Sequence, residues 1–299
     1  MFNPWRERNV RALEALASEP WAQGLLKRVR SLGITIEHDD TLFELRYAHD
    51  LARADVAPVY EYPTGVGDSK VDFKLPGKVP WLVELVSIRE SDAMKAATTE
   101  ETLGNGIRTQ TLLLTSTAGL ADPSKRKQTQ QEELLRVVHK LGEKVYNGTK
   151  AVKFPAPDGS AFHMLLVDIR GLEGIGGYPD RDHCRQIVFG PDRVSDEAFV
   201  AAHADTGEPI RGVWDEANTS RAAQLLRERI HVIGFVHEQR FCDDEIRDIT
   251  VAFMNPAFFS RSDSFHDLYP LNTGDRLDFP ARVDNALWNW EHAREKGAH

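Results

Sequence analysis

Residues 70–88 constrain the fold of this chain more than any other stretch. They read Lys-Val-Asp-Phe-Lys-Leu, then Pro-Gly-Lys-Val-Pro, then Trp-Leu-Val-Glu-Leu-Val-Ser-Ile. Two runs with strand character flank a turn that carries Pro and Gly, which is the pattern of a hairpin. Side chains alternate across a strand, so Lys70, Asp72 and Lys74 share one face and Val71, Phe73 and Leu75 the other. In the second run Leu82, Glu84, Val86 and Ile88 share a face. A turn centred on Lys78 sets Asp72 directly across from Glu84, with Cβ atoms about 4.5–5.5 Å apart. Two carboxylates so placed repel each other, and a bound divalent cation removes that cost. The competing pairing sets Glu84 against Lys74 and leaves Asp72 in water.

The flanking segments add context. Residues 41–55 read as a helix with Leu42, Leu45, Ala48 and Ala52 on its buried stripe and Glu44 and His49 beside it. A strand is expected from Val56 to Tyr62. Further on, Gln131 to Asn147 reads as an amphipathic helix, apolar at Leu134, Val137, Val138, Leu141 and Val145 and carrying Lys140 and Lys144 on its flank. Phe162 to Ile169 is apolar enough for a central strand.

This order resembles the PD-(D/E)xK nuclease-like superfamily: helix with Glu, strand, strand with Asp, strand with Glu, helix. The resemblance covers residues 41–170. Asp72 matches the metal-binding Asp of the family, Glu84 the acidic residue of its third motif, and Glu44 the acid on its first core helix. It implies Mg²⁺ or Mn²⁺ held by Glu44, Asp72 and Glu84. The family places a Lys two residues after the third-motif Glu, where it orients the attacking water and stabilises charge on the phosphate. Val86 stands there instead. Some members carry this Lys on a neighbouring element, and Lys70, Lys74, Lys140 and Lys144 are the candidates. Otherwise the fold is kept and the chemistry lost.

Composition is that of a globular protein, 41% hydrophobic and 28% charged over 299 residues. No window approaches about 18 consecutive apolar residues, so no membrane span is expected. The N-terminus lacks the apolar core of a secretory signal, and a cytoplasmic location is expected. Two cysteines, Cys184 and Cys242, give neither a disulfide framework nor a four-cysteine zinc site. A net charge of −9 argues against a protein that coats nucleic acid by bulk charge. Residues 124–153 nonetheless carry eight Lys and Arg against three Glu. The patch from Lys125 to Lys153 makes DNA the expected partner.

Two helices are expected before residue 40, from Trp5 to Ser18 and from Trp21 to Leu32, separated by Pro20. Asp40 is read as the cap of the helix that follows, and His38, Asp39 and Asp40 as no metal cluster. Helical tendency is expected around Ser91 to Thr98 and a strand within Gln110 to Ser116. The glycines from 171 to 177 lack both nucleotide-loop fingerprints. Residues 180–184 (Asp-Arg-Asp-His-Cys) lack the spacing of a zinc site. Beyond them a helix (Thr219–Arg229) and two strands (His231–Glu238, Asp248–Met254) are expected to extend the same sheet. Phe258, Phe259, Trp288 and Trp290 suggest a tail that packs back on the body.

The expectation is an α/β protein with a central mixed sheet flanked by helices. It has a helical cap at 1–40, a restriction-endonuclease-like core at 41–170 and an α/β extension at 171–299. The function implied is metal-dependent hydrolysis of DNA phosphodiesters by Asp72 and Glu84, with Lys74, Lys140 or Lys144 supplying the ammonium. The alternative is an inactive scaffold that binds nucleic acid, a second copy or another protein.

Overall fold

The structure is a computed structural model that describes residues 4–77, 79–89, 98–102, 108–112, 130–172, 181–190, 210–236 and 250–258. The fold is α/β. A six-stranded mixed sheet runs in the order β1-β2-β3-β6-β7-β8 with helices flanking it, and β4 and β5 form a separate antiparallel pair. The strands are β1 (Val59–Pro63), β2 (Lys70–Leu75), β3 (Trp81–Arg89), β4 (Thr98–Thr102), β5 (Arg108–Leu112), β6 (Phe162–Gly171), β7 (Val232–Val236) and β8 (Thr250–Met254). The chain divides into two compact units, each discontinuous in sequence. One holds residues 1–87, 153–167 and 230–299; the other holds 88–152 and 168–229.

The first unit is built on the sheet. Helices α1 (Pro4–Ala15), α2 (Gln23–Leu32) and α3 (Asp39–Arg53) precede it. Asn9, Ala12 and Leu16 form the buried line of α1 and its 3₁₀ extension, while Ala17 is exposed. Gly33 ends α2 at φ 84°, a left-handed turn that glycine adopts without a Cβ penalty, and its N–H reaches the Val29 carbonyl at 2.8 Å. Helix α3 begins at Asp39, so Asp40 lies inside its first turn and not at the cap, which is His38. Both acids there face the positive end of the helix dipole.

Helix α3 is buried well beyond the expected stripe, at Thr41, Leu42, Phe43, Glu44, Leu45, Tyr47, Ala48 and Leu51. It has α1 and α2 for neighbours and reaches the sheet through Tyr47, whose ring meets Phe73 edge-on at 5.4 Å. The core joins these helices to Phe73, Leu75, Val83, Leu85, Met164, Leu166, Val232 and Met254. Each large side chain buried here contributes about 1.5–3 kcal/mol relative to leaving it in water. Strand β2 alternates as read from sequence, with Val71, Phe73 and Leu75 buried. Strand β3 is buried on both faces, as befits a central strand.

The second unit has its own core. Helix α4 (Gln130–Glu143) packs against α5 (Arg181–Phe189) and α6 (Arg221–Arg229). Leu134, Val137 and Leu141 line α4, and Cys184, Ile187, Val188, Leu225 and Leu226 are buried on the other two helices. A Cβ built on Gly142 would lie 3.0 Å from that of Ala222, so a small residue is needed where α4 meets α6. Gly212 is tighter still. Its backbone lies against Gly190 and Val188, where a Cβ would collide with main-chain atoms.

The expected helix around Ser91 lies outside the described residues up to position 97, and Thr98 opens β4. Most of the glycine loop, Asp180, Phe259, Trp288 and Trp290 also lie outside them. His183 and Cys184 are buried on α5. Among the described residues, no helix is long and apolar enough to cross a membrane.

Candidate functional site

The hairpin sets the geometry. Strands β2 and β3 pair antiparallel with Phe73 opposite Val83, Lys74 opposite Leu82 and Leu75 opposite Trp81. Continued by one residue, this register sets Asp72 opposite Glu84, as a turn centred on Lys78 requires. The competing pairing of Lys74 with Glu84 is not the one formed. Beyond Phe73 and Val83 the Asp72 side chain reaches across to the neighbouring strand. Its Oδ2 accepts the N–H of Leu85 at 2.7 Å. A carboxylate thus fills the acceptor role of a backbone carbonyl and is held at the β2–β3 seam.

Glu84 is 1% exposed, and its Oε1 lies 2.7 Å from Lys153 Nζ. The same ammonium donates to the Lys70 carbonyl at 3.4 Å. Lys153 sits at φ 60°, a left-handed conformation that a side-chain-bearing residue adopts at a cost. It follows a tight turn in which the Asn147 carboxamide accepts from the N–H groups of Thr149 and Lys150 and from the Thr149 hydroxyl. Tyr146 and Ala151 bridge that turn, and Val152 N–H reaches the Val145 carbonyl at 2.9 Å.

Glu44 projects from α3 into a three-residue network. The Tyr60 hydroxyl donates to its Oε2 at 2.7 Å. Arg28 Nη1, from α2, lies 3.1 Å from Oε1 and 3.2 Å from Oε2. It also donates to the Tyr60 oxygen at 3.2 Å. Burial pushes the Glu44 carboxyl pKa up, the Tyr60 hydroxyl and Arg28 pull it down, and the charges of Glu84 and Asp40 push it up again. Burial and the neighbouring carboxylate raise the Tyr60 hydroxyl in turn.

The candidate lysines have other engagements. Lys70 Nζ pairs with Glu61 at 3.1 Å. Lys74 lies over the Tyr62 ring, 4.3 Å from its centroid, and donates to its hydroxyl at 3.2 Å. Lys140 pairs with Glu143 at 2.7 Å on the exposed side of α4. Lys140 and Lys144 belong to the second unit, and Asp72, Glu84 and Glu44 to the first. Of the basic run, residues 125–129 lie outside the described residues.

Lys153 and Arg28 are the charged groups that sequence reading did not assign. Lys153 falls within the basic run, yet nothing in Ala-Val-Lys-Phe indicates a left-handed backbone, since that signal normally comes from Gly or Asn. Arg28 is one cation among several on α2, and only the tertiary packing singles it out.

The donor set is all oxygen, which suits a hard cation such as Mg²⁺ or Mn²⁺, and such ions are commonly bound through one or two carboxylates. Asp72 and Glu84 are the two carboxylates that the hairpin brings to adjacent strands. Among the described residues, no three of His, Cys, Asp and Glu form a group that could hold a metal ion. In comparisons with known proteins, the chain matches no family model, no curated protein and no solved structure.

Proposed function

We propose that this protein is a metal-dependent, nuclease-like hydrolase of DNA phosphodiesters, with its site at Asp72, Glu84 and Lys153. The observation that carries this reading is the Lys153 ammonium 2.7 Å from Glu84, on the strand that faces Asp72. Sequence offers Val86 where the resemblance expects a Lys, and Lys153 brings an ammonium to the same Glu from a distant segment. The order α3, β1, β2, β3, α4, β6, with the β4–β5 pair inserted between β3 and α4 and with β1-β2-β3-β6 adjacent in the sheet, also supports a restriction-endonuclease-like core. The basic run toward Lys153 favours DNA as the partner.

In this reading Asp72 and Glu84 hold Mg²⁺ or Mn²⁺. The bound ion would neutralise charge at the scissile phosphate and acidify a water. The Leu85 N–H fixes the Asp72 carboxylate, and Lys153 holds Glu84 and offers its charge to the phosphate. Plasmid and single-stranded DNA cleavage in Mg²⁺ or Mn²⁺, against EDTA, tests the proposal. Asp72→Ala and Glu84→Ala should each lower the rate by roughly a thousandfold, the scale of losing several kcal/mol of charge stabilisation. Undiminished cleavage by Asp72→Ala would remove the proposed site.

A second reading, an inactive scaffold that binds nucleic acid or protein, is favoured by the ion pairs themselves. Glu84 is held by Lys153 and Glu44 by Arg28, so both acids already have a cation. No cleavage by folded, metal-supplied protein would select it.

A further inference from the structure

Beyond α4 the chain enters a turn of sequence Asn147-Gly148-Thr149-Lys150, exposed throughout. The Asn147 side-chain oxygen accepts from three donors there: Thr149 N–H at 3.1 Å, Lys150 N–H at 2.9 Å and the Thr149 hydroxyl at 2.9 Å. Three donors on one carbonyl oxygen draw electrons from its carbon and stabilise negative charge that develops on the oxygen, as an oxyanion hole does. Among the described residues, neither the Asn147 side-chain nitrogen nor the Gly148 N–H has a hydrogen-bond partner. Gly148 stands at φ 89° and has no Cβ to shield its nitrogen. The Tyr146 hydroxyl donates to the Gly148 carbonyl at 2.8 Å and the Tyr146–Ala151 bridge closes the turn, so the two groups are held together. Sequence alone does not single out this residue. Asn105 is also followed by Gly, and it lies outside the described residues.

We propose that Asn147 is a site of spontaneous covalent modification, converted to aspartate and isoaspartate faster in the folded chain than in the unfolded one. The Gly148 nitrogen gives its proton to water or hydroxide and bonds to Asn147 Cγ, and the carbonyl electron pair moves onto Oδ1, among the three donors. Collapse of that intermediate breaks the Cγ–Nδ2 bond, and the nitrogen takes a proton from water and leaves as ammonia. Water then opens the cyclic imide. Attack at Cγ gives aspartate, and attack at the main-chain carbonyl gives isoaspartate. One water enters for each ammonia that leaves, with no change of oxidation state. Either product adds a carboxylate to the basic run of residues 124–153, and isoaspartate also lengthens the main chain within the turn. The inference is independent of the nuclease reading.

The test is peptide mapping by mass spectrometry, with the full chain aged in buffer and, in parallel, in guanidinium chloride at the same pH. Chromatography separates the aspartate and isoaspartate forms. Asn147 should be lost roughly three- to tenfold faster in the folded chain, a smaller gain than a water-excluded oxyanion hole provides, because this turn is exposed. Thr149→Val removes the hydroxyl donor and keeps the branched shape. It should slow the folded chain by roughly threefold, the scale of one hydrogen bond, and leave the unfolded rate unchanged. Loss of Asn147 no faster in the folded chain than in the unfolded one would overturn the proposal. An acceleration undiminished by Thr149→Val would overturn it too, because the donors around Oδ1 would not be its cause. The wild-type comparison decides the question alone if the variant does not fold.

Discussion

Lys153 joins two unfavourable local states into one favourable arrangement. Its backbone stands at φ 60°, where a Cβ crowds the chain by about 1–2 kcal/mol. Its partner Glu84 is a carboxylate at 1% exposure, which would be costly without a counter-charge. The ion pair makes each tolerable in the presence of the other. Lys153→Met keeps much of the side-chain volume but strips the charge that lies 2.7 Å from the buried Glu84 Oε1. Urea denaturation should show a loss of about 3 kcal/mol, the scale of breaking a buried pair from one side. Adding Glu84→Gln should recover most of it, because the stranded charge is then gone. A Lys153→Met protein as stable as wild type would show that the pair contributes nothing to folding.

At the scale of elements, side chains act as backbone acceptors between strands of this sheet. Asp72 does so between β2 and β3. His231, just before β7, does so toward β6: its Nδ1 accepts the His163 N–H at 3.0 Å, while its own N–H reaches the His163 carbonyl at 3.0 Å. Its carbonyl accepts Asn255 N–H at 2.9 Å, and its ring stacks on Phe258 at 4.3 Å. An accepting Nδ1 must be unprotonated. Burial, reinforced by the charge of His163, pushes the His231 pKa down to about 3. The unfolded chain takes up this proton near pH 6.5 while the folded chain resists it. Stability is therefore fully present above about pH 6.5 and is lost progressively as pH falls toward 3, by an amount on the order of a few kcal/mol. His231→Asn, which keeps an acceptor but cannot titrate, should flatten that acid limb in urea midpoints measured from pH 7 to 3.5. An unchanged slope would assign the acid sensitivity to other groups. The strands here were legible because their patterns are local: β2 alternates and β3 is apolar apart from Glu84, Ser87 and Arg89. The imidazole joint was not, because His231 reads as an ordinary strand residue until His163 is beside it.

The whole molecule shows why local reading stops where it does. Hairpin register and the positions of α1 to α4 and α6 depend on neighbours in sequence and could be read to within a few residues, whereas no helix was expected where α5 (Arg181–Phe189) forms. The partition of the chain depends on which distant segments bury each other, and no periodicity encodes that. The chain passes between the two units after residues 87, 152, 167 and 229, so neither unit is a continuous fragment. Lys153 is the first residue on one of those returns, which is why its place beside Glu84 could not be read from its surroundings in sequence. The same interleaving yields a prediction for residues 41–170, the stretch over which the proposed nuclease-like core would run. Produced by itself, it lacks Ala12, Leu16, Leu25, Leu26 and Val29 from the N-terminal helices and Val232, Val236, Ala252 and Met254 from β7 and β8, all members of one core cluster. Losing even five of the larger ones at about 2 kcal/mol each removes on the order of 10 kcal/mol, which is the whole stability of a typical domain. The fragment would also lose Arg28 from Glu44 and the β7 partner of β6. It should show no sharp urea transition and poor amide dispersion by NMR, whereas the full chain unfolds cooperatively. A fragment that melts sharply and binds Mn²⁺ through Asp72 would show instead that the core is self-sufficient, with the helices and β7–β8 as additions to it.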